Sequence, residues 1–133
     1  MIKEISVKNF KCFEQISVDF KELNLFTGIN GMGKSTLIQA ILLLRQTYEK
    51  YNSFDWKRII LNGHYINLGT IKDIAYWYRL EDETQILIFE DDFQLSCTWN
   101  EQQVQLMQGT EEKSQDEKYV LMGKGFEYIS AER

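Results

Sequence analysis

The sequence has no proline, one histidine, two cysteines and no apolar run of membrane-spanning length. Its longest apolar stretch lies within residues 37–44, far short of the roughly 20 residues that a spanning helix requires. The opening Met1-Ile2-Lys3-Glu4 lacks the apolar core of a signal peptide, so the expectation is a cytoplasmic protein without a membrane partner. Cys12 and Cys97 show neither CxxC spacing nor a clustered histidine, which excludes a zinc site and leaves a disulfide without support. Both read as reduced thiols that pack as small hydrophobes. His64 follows Asn62-Gly63 and has no serine, cysteine or carboxylate at a telling spacing, so it reads as structural or exposed. Without proline, internal repeats or a low-complexity linker, no domain boundary can be placed inside the chain. At 133 residues, 44% apolar and 14% aromatic, one compact domain is expected.

Basic residues are scarce where acidic ones gather. Residues 81–117 hold eleven acids against the single base Lys113, a net of −10, so the rest of the chain must sum to +5 to give −5 overall. Clustered Lys and Arg are needed to neutralise a nucleic-acid backbone, and this half lacks them. Its acids read as solvated turns between strands. Trp56, Trp77, Trp99, Tyr76 and Tyr78 are accordingly expected as core or interface anchors, with base stacking the lesser reading.

Strands are predicted over 2–7, from β-branched residues, over 16–20, from alternation, and over 23–26, a short apolar run ending at Gly28. Residues 34–48 are helix formers with Leu37, Ile41, Leu44 and Tyr48 at helical spacing and Ile38, Leu42 and Leu43 on other faces, which predicts a buried helix. Residues 58–61 suit a short strand before the Asn62-Gly63 turn, and Thr70 suits the N-cap of a brief helix through Ala75. Strands at 85–89, 94–99, 103–107 and 126–129, separated by short polar turns, suggest antiparallel hairpins.

One motif carries chemistry. Residues 28–35 read GINGMGKS and satisfy GxxxxGK[ST] with Gly28, Gly33, Lys34 and Ser35, a pattern expected by chance in about one chain of this length in 200. An apolar strand is predicted to end at the first glycine and an apolar helix to begin at the lysine, the setting in which a phosphate-binding loop works. Its glycines let consecutive backbone N–H groups face phosphate oxygens at the positive end of a helix dipole. Read this way, Asn30, Gly31, Met32 and Gly33 form the cradle, Lys34 reaches the β- and γ-phosphates, Ser35 offers its hydroxyl to Mg²⁺ and Thr36 touches the α-phosphate. The implied ligands are ATP and Mg²⁺. The bland alternative is a glycine-rich turn with an exposed lysine.

The run FTGINGMGKSTLIQAILLLRQ, preceded by ISVKNFKCFEQISVDF, resembles the N-terminal lobe of ABC-type ATPases of the SMC, RecF and OLD group. The pieces LNGHYINLGTIKDI and EYISAER are similar to predicted AAA-type OLD-like ATPases, several of which serve in bacterial anti-phage systems. The resemblance implies an α/β fold: a P-loop lobe with a mixed sheet around its helix and an antiparallel β extension. It further implies a partial ATP-binding domain over 1–133, with a P-loop core over 1–50 and a β-rich extension over 51–133. It places the turn Asn9 to Phe13 beside the nucleotide, with Lys11 and Cys12 near the phosphates or ribose. A surface turn with Phe10 and Phe13 packed inward remains the alternative.

Hydrolytic parts of that family are missing. Neither the LSGG-type signature nor the switch histidine occurs, and no Walker B strand ends in an Asp-Glu pair. The apolar run 86–89 followed by Glu90-Asp91-Asp92 imitates one, but it reads as a hairpin strand and its turn, with a metal role as the lesser alternative. No catalytic residue is therefore assigned. The leading expectation is half an ATPase, completed by a C-terminal lobe and a second head, and driving an effector protein or acting on DNA. A self-contained kinase-like enzyme using Glu90 or Asp91, and a nucleotide sensor that does not hydrolyse, are the alternatives. A GTPase is disfavoured because no Asn-Lys-x-Asp motif occurs.

Overall fold

A computed structural model describes residues 2–25, 34–52, 56–76, 83–90, 94–108 and 126–128. Five strands form one sheet: β1 (Ile2–Phe10), β2 (Phe13–Asp19), β3 (Thr84–Glu90), β4 (Gln94–Trp99) and β5 (Val104–Gln108). Their spatial order is β2-β1-β3-β4-β5, and every pairing is antiparallel. Two helices accompany it, α1 (Lys34–Tyr51) and α2 (Ile71–Ile74).

Alternation along each strand fixes which residues share a face. The register aligns Ile16, Val7, Ile86, Cys97 and Leu106 in one row, and Val18, Ile5, Ile88 and Leu95 in the next. These rows meet Leu37, Ala40, Leu43 and Leu44 of α1 in a single buried cluster that also takes in Phe10, Trp56, Ile59, Leu68, Ile74 and Trp99. Cys97 lies wholly inside it, and burial pushes its thiol pKa far up, so it behaves as a small hydrophobe. Cys97 and Cys12 are both free thiols, as expected. The opposite face is largely polar, with Ser6 hydrogen-bonded to Ser17 and Gln85 between Ser96 and Thr98, and carries the half-buried Leu87 and Phe89 among them.

The expected mixed sheet is therefore antiparallel throughout the described residues. Of residues 23–26, expected as a strand, Leu23 and Leu25 lie outside any strand and Phe26 lies outside the described residues. Residues 58–61 differ too: they form no strand, because side chains of α1 take the hydrogen bonds a neighbouring strand would have supplied. Gln46 donates to Ile60 O (2.8 Å), and the hydroxyl of Thr47 accepts from Ile60 N (3.0 Å). Gln46 also accepts from Tyr65 N (2.9 Å) and Ile66 N (3.0 Å), so one buried carboxamide satisfies three backbone groups. Gly63 leaves room for it, since a Cβ there would come within 2.8 Å of Gln46 Cδ. What remains of the strand pairing is one bridge between Asn62 and Asn67.

Helix ends follow local chemistry. The last turn of α1 carries Lys50, favourable at the negative end of the dipole. Asn52 closes the helix in the left-handed region (φ 51°), donating from its N–H to Tyr48 O (2.7 Å). Thr70 caps α2 as expected, in a capping box with Asp73. The predicted strand at 126–129 does not appear in residues 126–128, where Phe126 lies under Arg45 (5.0 Å to the ring centroid) and edge-on to Tyr65.

Two outcomes test this packing. Gln46→Leu keeps the volume but strands Ile60 O and the N–H groups of Tyr65 and Ile66; urea unfolding should show a loss of about 3 kcal/mol. The backbone N–H and hydroxyl of Thr70 hold the Asp73 carboxyl below the usual carboxylate range. Because the folded pKa is the lower one, its stabilisation is full above the ordinary carboxylate value and is lost as pH falls through the depressed one. A chemical-shift titration of Asp73 should show this lowered midpoint, and Thr70→Ala, which removes the hydroxyl and keeps the backbone N–H, should move it part of the way back up.

Candidate functional site

The candidate site gathers at one end of the sheet. β1 ends there at Phe10 and β2 begins at Phe13, while the starts of β3 and β5 and the end of β4 reach the same end. The turn Asn9 to Phe13 is sharp. Asn9 (φ 57°) and Lys11 (φ 51°) both occupy the left-handed region on either side of the fully buried Phe10. Asparagine tolerates this region better than most residues, and here its side chain also holds the turn down. Asn9 Nδ2 donates to Glu83 O (2.9 Å), and Asn9 Oδ1 accepts from Tyr76 N (3.0 Å). Its carbonyl oxygen accepts from the Thr84 hydroxyl (2.9 Å), and Lys11 N donates to Ile74 O (2.8 Å). The turn is thus bolted to the start of β3 and to the end of α2, with Asn9 buried.

Lys11 then points its ammonium at α1. Its Nζ donates to Gln39 Oε1 at 2.7 Å. Gln39 lies four residues beyond Ser35 and three beyond Thr36, so the three side chains share one face of the helix. Ser35 is exposed on the first turn and Thr36 half-buried. Of the other sequence-predicted residues, Asn30, Gly31, Met32 and Gly33 lie outside the described residues, and Lys34 is the first residue of α1. Cys12 is half-buried at the tip of the turn. The structure thus joins the turn to the helix that follows the glycine-rich loop.

Other candidates fall elsewhere. Glu90 ends β3 opposite Ile2, at the end of the sheet away from the turn, and it is buried. Asp91 and Asp92 lie outside the described residues, and among those described no three potential metal ligands cluster. His64 is exposed against Tyr65. Trp56 and Trp99 are core residues, as expected, while Trp77 and Tyr78 lie outside the described residues. A cleft of about 390 Å³ opens between Lys57 to Leu61, the start of α2 and the β4–β5 turn, and its one carboxylate, Glu101, is exposed.

The sequence matches the AAA ATPase domain family over residues 1–131, nearly its whole length. The chain belongs to that family. It is 32% identical over 76 residues to the DNA replication and repair protein RecF of Lactococcus lactis subsp. cremoris, a stretch covering 56% of this chain and 21% of the relative. It is 40% identical over 99 residues to the OLD nuclease of Thermus scotoductus, covering 73% of this chain and 18% of the relative. RecF of Lactobacillus acidophilus is 35% identical over 69 residues, or 51% of this chain and 18% of the relative. These relatives place the AAA ATPase domain in the SMC, RecF and OLD group of ABC-type ATPases, as the two N-terminal motifs implied. The chain spans about a fifth of the length of the relatives it matches.

Sequence reasoning missed Gln39 and the double role of Asn9. Spacing from Ser35 was the available signal for Gln39, since a residue four places on must share its helix face. For Asn9 no local signal existed, because its partners lie 67 and 74 residues away. Replacing Asn9 tests the bolt: Asn9→Ala should cost about 2–3 kcal/mol in denaturant unfolding, and Asn9→Gly about 1 kcal/mol less, because glycine keeps the positive φ without strain.

Proposed function

We propose that this AAA ATPase domain binds ATP with Mg²⁺ at the N-terminus of α1 and forms the N-terminal lobe of a larger ABC-type ATPase. The observation that carries the reading is the family match over residues 1–131, which contains the GxxxxGK[ST] loop opening directly into α1. The described residues suit a polyanion. The exposed Ser35, the half-buried Thr36 and the Lys11 ammonium lie along one face of the first turns of the helix, where the dipole is positive. Asn30 to Gly33 would supply backbone N–H groups, Lys34 a point charge on the β- and γ-phosphates, and Ser35 a hydroxyl for Mg²⁺. Lys11 and Cys12 border the phosphates or ribose from the turn. Bound Mg²⁺ supplies charge neutralisation across the phosphates.

Binding is one task and hydrolysis another. No residue of this chain is assigned as the base or water-positioning group, and Glu90 sits at the wrong end of the sheet to serve the turn and Gln39. Hydrolysis therefore awaits a C-terminal lobe and a second ATPase head, whose closure around ATP would drive an effector protein or DNA. The relatives' length, about five times the matched stretch, supports a missing lobe. Their names, one a DNA replication and repair protein and one a nuclease, favour work in DNA maintenance, with anti-phage defence as the second setting. The acidic half of this chain does not make it the DNA-binding part. The expected site of action is the cytoplasm.

Calorimetric titration with MgATP should give measurable binding that Lys34→Ala abolishes; unchanged affinity in that variant would remove the central assignment. The 133-residue chain alone should show no turnover above background. A robust rate that disappears in Glu90→Gln would instead establish a self-contained enzyme.

A further inference from the structure

A lysine ammonium beside the first turns of a helix is electrostatically misplaced. The N-terminal end of α1 carries positive partial charge, and a cation there costs free energy unless an anion offsets it. The usual remedy is a carboxylate, and acids are abundant in this chain. Yet among the described residues Lys11 has no carboxylate within ion-pair distance. Its ammonium is held by a neutral carboxamide, Gln39, at 2.7 Å. The hold is deliberate in its geometry: the turn is fixed by Asn9 and by the Lys11 N–H to Ile74, and two left-handed residues are tolerated to aim it.

A neutral acceptor does something a carboxylate cannot. It fixes the direction of the side chain and occupies one of three ammonium donors, while leaving the full positive charge and two donors for a ligand. An acidic residue at the same place would neutralise Lys11 and repel phosphate. We propose that Gln39 is a positioning residue for the nucleotide, holding the Lys11 ammonium on the Ser35 and Thr36 face of α1 so that it meets the phosphates already oriented. This deepens the nucleotide-binding reading and rests on it. The Lys11 side chain has four rotatable bonds whose freedom would otherwise be lost on binding, and Gln39 removes part of that cost before the ligand arrives.

A double-mutant cycle on MgATP affinity, read by calorimetry with thermal unfolding of each variant, separates positioning from general support. Gln39→Leu should weaken binding about threefold to tenfold in the wild-type background, the weight of one ordinary hydrogen bond. In a Lys11→Met background the same change should have no effect, because there is no ammonium left to position. Gln39→Glu preserves shape and hydrogen bond and offsets the Lys11 charge, so it should melt no lower than wild type yet bind MgATP at least as poorly as Gln39→Leu. Equal losses from Gln39→Leu in both backgrounds, or wild-type affinity in Gln39→Glu, would overturn the positioning role while leaving nucleotide binding intact. Absence of MgATP binding by the wild-type chain would overturn the underlying reading and this proposal with it.

Discussion

The arrangement of the candidate site depends on one carboxamide. Asn9 stands in a backbone conformation that L-residues rarely adopt, and it is held there by hydrogen bonds between its side chain and Glu83, just before β3, and Tyr76, two residues after α2. Without that anchor the chain between β1 and β2 would be an ordinary exposed hairpin turn. With it, Phe10 is driven into the core and Lys11 is directed to α1. A buried polar group that both donates and accepts specifies one geometry where apolar contact alone would accept several. The energetic risk is that Asn9 is buried, so a half-satisfied anchor would be worse than none.

A second carboxamide performs the same kind of work at the other half of α1. Gln46 takes three backbone partners from residues 60–66 and replaces a strand with a side chain. The two ends of the helix are therefore tied differently. Toward its N-terminus α1 takes a half-buried charged hydrogen bond from Lys11 of the β1–β2 turn, and in its C-terminal half Gln46 and Thr47 grip residues 60–66 through neutral hydrogen bonds. The division suits the proposal that the first turn answers to a nucleotide while the body of the helix stays fixed.

Much of the element plan was legible in the sequence. The strand-like runs 94–99 and 85–89 placed β4 and β3, the helical spacing from Lys34 placed α1, and Thr70 announced the N-cap of α2, while the partnership of Thr70 with Asp73 appeared only in the structure. Periodicity reports which face a residue occupies and says nothing of which strand lies beside it, so the β1–β3 pairing was invisible and the sheet was expected to be mixed. Polar residues inside a helix look alike in sequence whether they face water or a buried backbone, and this concealed Gln46 and Gln39. The GxxxxGK[ST] pattern stood out in the sequence because phosphate binding demands particular residues at fixed spacing, and residues 28–33 of it lie outside the described residues. The isolated apolar pair Leu23 and Leu25 misled for the opposite reason: their alternation suits a strand, yet they are 89% and 87% exposed.

The pairing of β1 with β3 joins strands distant in the chain, whereas the other three pairings join consecutive ones. It closes a loop that holds α1, α2 and the glycine-rich segment. Closing long loops costs entropy that grows only slowly with length, so the stretch between the two strands can vary at small thermodynamic expense. The acceptor and donor that anchor Asn9 from the β3 side exist only once that closure has formed. During synthesis the turn consequently has no seat until β3 has emerged, and hairpins β1–β2 and β3–β4 can form before the two halves meet. Any ligand gripped through the turn also favours the closed sheet by mass action, so occupancy of the site and completion of the fold are linked equilibria.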